Sequence, residues 1–494
     1  MPGLALAAAC SALLVLSFPG FDYAPLAAVA LTPLLVLCAR ESSPWRRFLF
    51  GEAAGILYWL GTCYWIQYVL QKHGGMGLAG SWGAFLLFCV AKALHMAVFA
   101  LAAGPLMRRA WALPAVAALW VAIERTHGPL GFAWQALGNA GAGMSVPLRL
   151  APYTGVYGLS FVFVMLSAGL ALALLRRRRR ELLWLAALPA LFLLPALPQP
   201  VAGRASAVLV QPDIPQDEVW SPENFQDALN RLGHLTLASA VRPEAGPPSL
   251  AVWPEVPAPF YYDSDARFRQ EVARLARAMR APLLFGTVAY TPEGAPLNSA
   301  ALLGPGGEFL GRYDKIFLVP FGEFVPPLFG FVNRITQEAG DFAPGEKVVI
   351  FRSEGRSIGP FICYEAVFPH LVRQFAAAGA EVFVNISNDG YFGRSAAREQ
   401  HLKIVRMRAV ENRRWILRAT NNGITAVIDP AGRVLASLPP DRAAALPAAY
   451  SYIAEKTPYT KYGDWFALLC AIASLLALWR AAVTRAGSPA HRRP

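Results

Sequence analysis

Ile358-Gly359-Pro360-Phe361-Ile362-Cys363-Tyr364-Glu365 reads as a short apolar strand that stops on a thiol, an aromatic ring and a carboxylate. Short apolar runs bounded by turn residues suit strands buried inside a sheet. Similar runs recur on both sides, at Ala207 to Val210, Leu250 to Trp253, Leu283 to Val288, Val382 to Ile386, Ile416 to Ala419 and Ile424 to Ile428. Helical patterns fill the gaps. One starts with Ser221 as N-cap and Pro222 at the first helical position, a second runs through Arg267 to Met279, and a third spans Ala396 to Asn412. This alternation over residues 203–455 predicts a layered α/β domain with its chemistry in loops at strand ends.

The flanking sequence has another character. Of the 494 residues, 55% are hydrophobic and only 16% charged, a balance suited to a membrane protein. Apolar runs near 3–18, 24–39, 48–70, 80–107, 109–124, 154–175 and 182–198 predict seven transmembrane helices within residues 1–200, and 464–481 predicts an eighth. The first, second and fifth fall short of the roughly 20 residues that cross a hydrocarbon core. No small-residue cleavage site closes the first run, so it is read as a retained helix, with a cleaved signal peptide as the alternative.

The net charge of +13 is not spread over a polar surface. Basic residues gather after the even-numbered spans, at Arg40, Arg46 and Arg47, at Arg108 and Arg109, at Arg176 to Arg180, and at Arg480, Arg485, Arg492 and Arg493. Lys and Arg mark cytoplasmic loops, which puts the N-terminus and the tail 482–494 inside and residues 203–455 on the outer face. A nucleic-acid partner is not expected, because even the five-arginine run lies between two apolar spans.

Five of the six cysteines, Cys10, Cys38, Cys63, Cys89 and Cys470, fall within or at the ends of these spans. Cys363 stands apart. In a disulfide-permissive compartment a lone cysteine is either a reactive thiol or a small buried hydrophobe at a strand end. The chain has no CxxC and no closely spaced His/Cys set, so no metal site is expected.

Three segments occur in a fixed order: Val252-Trp253-Pro254-Glu255, Tyr313-Asp314-Lys315, and Phe361-Ile362-Cys363-Tyr364-Glu365. Taken singly, Glu255 is a turn or surface carboxylate and Lys315 a solvated amine. Together they resemble the nitrilase superfamily, and Asn385-Ile386-Ser387-Asn388-Asp389 is similar to the strand and loop after that family's cysteine. Bracketed by membrane spans, the domain resembles the apolipoprotein N-acyltransferases in particular. Val210-Gln211 through Trp220, Pro320-Phe321-Gly322-Glu323 and Asn421-Asn422-Gly423 are similar to that family's further motifs.

The resemblance implies a membrane α-helical bundle of about eight helices joined to an α/β nitrilase-like αββα sandwich. It implies Cys363 as nucleophile, Glu255 as general base, and Lys315, with the Tyr364 backbone N–H, as stabiliser of the oxyanion. Attack by sulfur needs the thiolate, so a base and a positive environment that lower the thiol pKa are expected. Glu323 and Glu365 would hold and orient Lys315 or form structural ion pairs. Trp220 and Tyr364 would contact substrate or simply pack. The implied reaction moves a fatty acyl group from a phospholipid, through a thioester, to the α-amine of a diacylglyceryl-cysteine on an apolipoprotein. This would take place at the periplasmic side of a bacterial inner membrane, in a monomer without cofactor or metal.

Two other readings stay open at this stage. Water could resolve the thioester, making a membrane-anchored amidase, or the fold could serve only as a lipid-binding scaffold, since fold alone does not decide function. Two aromatic segments, Pro326-Pro327-Leu328-Phe329-Gly330-Phe331 and Phe260-Tyr261-Tyr262, are expected as membrane-dipping lids or as packing within the domain.

Overall fold

The computed structural model describes residues 2–128, 132–176, 179–200, 203–215, 218–240, 247–320, 322–324 and 342–486. The expected aromatic lid 326–331 lies outside them. The chain divides into two units: Met1–Tyr64 with Trp82–Leu197 and Tyr462–Pro494, and Trp65–Ser81 with Pro198–Lys461.

The first unit is helical. Its helices are Pro2–Leu16, Thr32–Arg40, Pro44–Thr62, Leu78–Leu106, Ala112–Arg125, Val156–Leu174 and Trp465–Ala486, with shorter turns between. Among the described residues three stretches, Leu78–Leu106, Val156–Leu174 and Trp465–Thr484, are long and apolar enough to cross a membrane. The other expected spans are shorter or interrupted. The run 24–39 is a 3₁₀ turn, Ala24–Ala28, followed by the helix Thr32–Arg40. The run 48–70 breaks at Cys63, and its remainder forms a separate helix, Trp65–Lys72, that belongs to the second unit. There Trp65 Nε1 donates to Gln400 Oε1 at 3.3 Å and its ring meets Phe392 edge-on at 5.0 Å. The run 182–198 is a 3₁₀ helix, Leu183–Leu193, rather than an α-helix. Pro189 inside it lacks the N–H an α-helix needs, and Pro195 and Pro198 follow.

The second unit holds two six-stranded sheets. The strands are β1 Ala205–Gln211, β2 Leu250–Val252, β3 Leu283–Tyr290, β4 Pro296–Leu303, β5 Phe309–Asp314, β6 Phe351–Ser353, β7 Arg356–Ile362, β8 Val382–Ser387, β9 Ile416–Thr420, β10 Ala426–Ile428, β11 Val434–Ser437 and β12 Ala444–Tyr450. One sheet runs β12-β1-β2-β3-β4-β5 and the other β11-β10-β9-β8-β7-β6. The centre of each is parallel and its edges antiparallel. The sheets meet where β1 touches β9 and β4 touches β7, and helices cover them. Pro222–Ala240 and Ala266–Met279 lie on the first sheet, while Pro369–Ala377 and Ala397–Asn412 serve the second. This is the expected αββα layering. Trp253 anchors the first helical layer: it is fully buried, and its Nε1 donates to Thr236 Oγ1 at 2.9 Å. Phe260 stacks on Phe268 at 4.5 Å, and Phe260 and Tyr262 are buried, so these two aromatics pack within the domain instead of forming a lid.

Register sets the edge where chemistry collects. In the second sheet Ile362 pairs with Ile386, and Ser387 with Thr420, so Cys363, Asn388 and Asn421 leave three adjacent parallel strands at the same end. In the first sheet Val252 pairs with Leu284, and Ser299 with Asp314. Glu255 follows β2, Asn298 lies on β4 and Lys315 follows β5, so all three belong to the β2-β3-β4-β5 part of that sheet.

Candidate active site

Backbone placement comes first. Glu255 follows β2 past Pro254, and Gly286 of β3 lies directly against that turn. A Cβ on Gly286 would sit 2.4 Å from the Val256 nitrogen and 2.8 Å from the Glu255 Cα, so only glycine permits the approach. Lys315 continues β5, and its backbone N–H donates to the Asn298 carbonyl at 2.8 Å. Cys363 follows β7 with φ +47°, in the left-handed region that residues with a Cβ rarely adopt. It opens a 3₁₀ turn, Cys363–Val367.

The side chains then converge. Lys315 Nζ donates to Glu255 Oε1 at 3.0 Å and to Glu323 Oε1 at 2.9 Å, bridging two carboxylates. Asn298 Nδ2 spans the same pair, at 2.8 Å from Glu255 Oε1 and 2.6 Å from Glu323 Oε1. The Asn388 N–H reaches Glu255 Oε2 at 2.9 Å, and the Val319 N–H reaches Glu323 Oε2 at 2.8 Å. Lys315 is 1% exposed, so its charge exists only because both carboxylates face it. Burial pulls its pKa down, but the attraction of Glu255 and Glu323 wins and holds it well above the ordinary lysine value. Glu323 is thus placed directly against Lys315.

Glu365 does something else. It is fully buried, and it accepts from the Tyr313 hydroxyl at 2.6 Å, the Ile316 N–H at 2.7 Å, the Phe317 N–H at 3.3 Å and the Ile362 N–H at 2.8 Å. These bonds tie the loop after β5 to the loop after β7, which fixes Lys315 relative to Cys363 without Glu365 bonding the amine itself. Burial pushes its carboxyl up to about 7.

The thiol stands in a mixed environment. Cys363 is 7% exposed, and burial raises its pKa above the ordinary value, with the Glu255 carboxylate adding to the rise. Lys315 and the neighbouring Ser387 hydroxyl oppose this and do not overcome it. The resting side chain is a neutral thiol whose proton must leave during attack.

A second buried cluster underlies the cysteine. His401 Nε2 donates to the Cys363 carbonyl at 3.0 Å, and its Nδ1 lies 3.1 Å from Asp389 Oδ1 and 3.3 Å from Arg418 Nη2. Arg418 Nη2 donates to Asp389 Oδ2 at 2.6 Å, and Ser387 Oγ donates to Asp389 Oδ1 at 2.8 Å. Burial and Arg418 lower the His401 pKa, although Asp389 acts to raise it. Sequence reading missed both Asn298 and His401. Asn298 lies on a strand, β4, that carried no recognised pattern, while the only signal for His401 was a histidine on a helix soon after the Ser387-Asn388-Asp389 loop.

Tyr364 is buried with its ring edge-on to Phe368 at 5.2 Å. Trp220 stands 38% exposed in the loop before Pro222–Ala240, so the structure does not gather it with the others. Among the described residues no group of three His, Cys, Asp or Glu side chains could hold a metal ion.

Comparison with known proteins places this geometry. Residues 210–449 match the carbon-nitrogen hydrolase family, and residues 10–170 match the apolipoprotein N-acyltransferase N-terminal domain. Among solved structures, a variant of an amidase of the nitrilase superfamily from Nesterenkonia AN1 matches at 20% identity and a TM-score of 0.39 over 53% of this chain and 95% of that one. The apolipoprotein N-acyltransferase of Geobacter metallireducens is 35% identical over 93% of this chain and 91% of its own length. Those of Azotobacter vinelandii and Pseudomonas putida are 34% and 32% identical over 97% and 95% of this chain. An acyltransferase built on a carbon-nitrogen hydrolase domain, this chain belongs to the apolipoprotein N-acyltransferase family.

Proposed function

We propose that the enzyme transfers a fatty acyl group from a membrane phospholipid to the α-amine of a diacylglyceryl-cysteine at the N-terminus of an apolipoprotein, in two steps through a thioester on Cys363. The observation that carries this reading is the Glu255–Lys315–Glu323 cluster together with the buried Cys363 thiol. In the first step Glu255 takes the thiol proton as sulfur attacks the ester carbonyl. Lys315 and the Tyr364 N–H stabilise the oxyanion, and Glu255 returns the proton to the departing lysophospholipid oxygen. In the second step the acceptor amine attacks the thioester, Glu255 takes a proton from the nitrogen, and Cys363 leaves and is reprotonated. Asn298 and the Asn388 N–H support this role by fixing both oxygens of Glu255. No cofactor enters either step.

A lipid donor accounts for the apolar unit joined to a domain whose chemistry needs no membrane. The proposal includes eight spans in a bacterial inner membrane, with residues 203–455 on the periplasmic side, where the basic exits of the even-numbered spans put them. It also includes a single-chain enzyme, and Trp220 and Tyr364 as contacts for the lipid substrates. Cys363→Ala in the full-length protein is expected to abolish transfer to a diacylglyceryl peptide while leaving the protein folded. Turnover at the wild-type rate in that variant, or release of free fatty acid in place of an acylated peptide by the wild type, would overturn the proposal.

A further inference from the structure

The two steps above use neither the imidazole of His401 nor the carboxylate of Asp389, yet both are completely buried against the nucleophile. We propose that His401 is a positioning residue that clamps the Cys363–Tyr364 peptide, with Asp389 and Arg418 locking its ring. The inference rests on Cys363 being the nucleophile.

The backbone supplies the reason a clamp is needed. Cys363 has φ +47°, and a residue with a Cβ keeps that conformation only where its surroundings impose it. The carbonyl that follows this dihedral is the one that accepts from His401 Nε2 at 3.0 Å. A carbonyl oxygen can only accept, so Nε2 carries the proton. The described residues contain no cis peptide, and a trans peptide is planar, so its C=O and N–H point in opposite directions. Holding the Cys363 carbonyl on the His401 side therefore sends the Tyr364 N–H to the other side. One hydrogen bond thus sets the nucleophile's backbone and the direction of the oxyanion donor together.

The ring is itself constrained. Nδ1 lies between Asp389 Oδ1 and Arg418 Nη2, so it is held whether it donates to the carboxylate or accepts from the guanidinium. Arg418 is anchored by Asp389 and by Asn385, and the His401 ring meets Phe392 edge-on at 5.9 Å. Asp389 also receives the Ser387 hydroxyl, which neighbours the Cys363 side chain. Both ends of the nucleophile, carbonyl and sulfur, are thus referred to one buried carboxylate that takes no part in proton transfer.

Two amide variants separate positioning from packing. In His401→Gln the side-chain amide reaches the place of Nε2 and can still donate to the Cys363 carbonyl. In His401→Asn the shorter amide reaches only the place of Nδ1, keeping Asp389 and losing the clamp. The test uses full-length enzyme in mixed micelles containing dioleoyl phosphatidylethanolamine and phosphatidylglycerol. It reads the rate of thioester formation by intact mass as lipid is varied, beside the unfolding temperature of each variant. His401→Asn is expected to acylate on the order of 10²-fold slower at saturating lipid, with an unchanged half-saturating concentration, because an ångström of misplacement costs about that much. His401→Gln is expected to stay within about tenfold of wild type, the residual loss being set by imperfect geometry. If only the glutamine variant folds, a rate inside that range supports the clamp and a slower one overturns it. Equal rates in the two folded variants, a change confined to half-saturation, or failure of both to fold would make His401 a packing residue. Absence of a thioester in the wild type would instead refute the role of Cys363 itself.

Discussion

At Cys363 the nearest charges pull in opposite directions, and this makes the roles of Glu255 and Lys315 separable. Glu255 raises the thiol pKa while Lys315 lowers it, so replacing each has a different effect on the free thiol. Glu255→Gln is expected to speed alkylation by iodoacetamide while slowing acyl transfer by about 10²–10⁴, the usual loss of a general base. Lys315→Met is expected to slow both, transfer by about 10²–10³. Parallel loss of alkylation and transfer in a folded Glu255→Gln protein would contradict the assignment. In the wild type the alkylation rate should still climb past pH 9, the ordinary thiol value. Glu365 carries a prediction about stability. Its folded-state value is raised from 4.5 to about 7, so between those values the folded protein keeps a proton that the unfolded chain has released. The contribution is complete below about pH 4.5 and is lost as pH rises through about 7, on the order of 3 kcal/mol in all. Glu365→Gln should flatten that part of the unfolding profile in denaturant titrations, and profiles that stay parallel would refute it. The segments that carry Glu255, Lys315 and Cys363 stood out in the sequence because each is a local motif. His401 and Asn298 did not stand out, because their contacts form only once a helix and a strand are packed against the loops at the sheet ends.

At the scale of elements, placement of the base depends on one glycine. Gly286→Ala should push its new methyl into the Pro254–Val256 backbone and move Glu255, lowering thioester formation on the order of 10²-fold. Rates of acylation in the variant give the check, and an unchanged rate would show that the turn can yield. The same contrast between local and distant information explains which elements could be read. The apolar runs at β2, β3, β7, β8 and β9 announce buried parallel strands, and Pro222 and the periodicity of Arg267 to Met279 announce helices. The edge strands β5, β11 and β12 carry alanine, glycine or proline in place of β-branched runs and are less buried, while β4 is internal and buried but its Asn298-Ser299-Ala300-Ala301 stretch breaks the apolar run. Apolar runs in the flanking unit were legible as apolar but not in length. Composition marked 48–70 as one span, whereas the chain breaks at Cys63 and sends Trp65–Lys72 to the catalytic unit.

At the scale of the whole molecule, a thiol-attack domain of about the size of a soluble hydrolase is carried by a chain whose remainder is apolar helix. On the proposed reading that pairing would separate acyl transfer from a lipid donor from hydrolysis of small amides, and it fixes the most direct measurement. Full-length enzyme in phospholipid micelles, followed by intact mass, is expected to gain one acyl group with the donor alone. The group should map to Cys363, and adding a diacylglyceryl-cysteine peptide should discharge it onto the peptide's α-amine. An enzyme that transfers acyl chains to the peptide without ever carrying one on Cys363 would contradict the account.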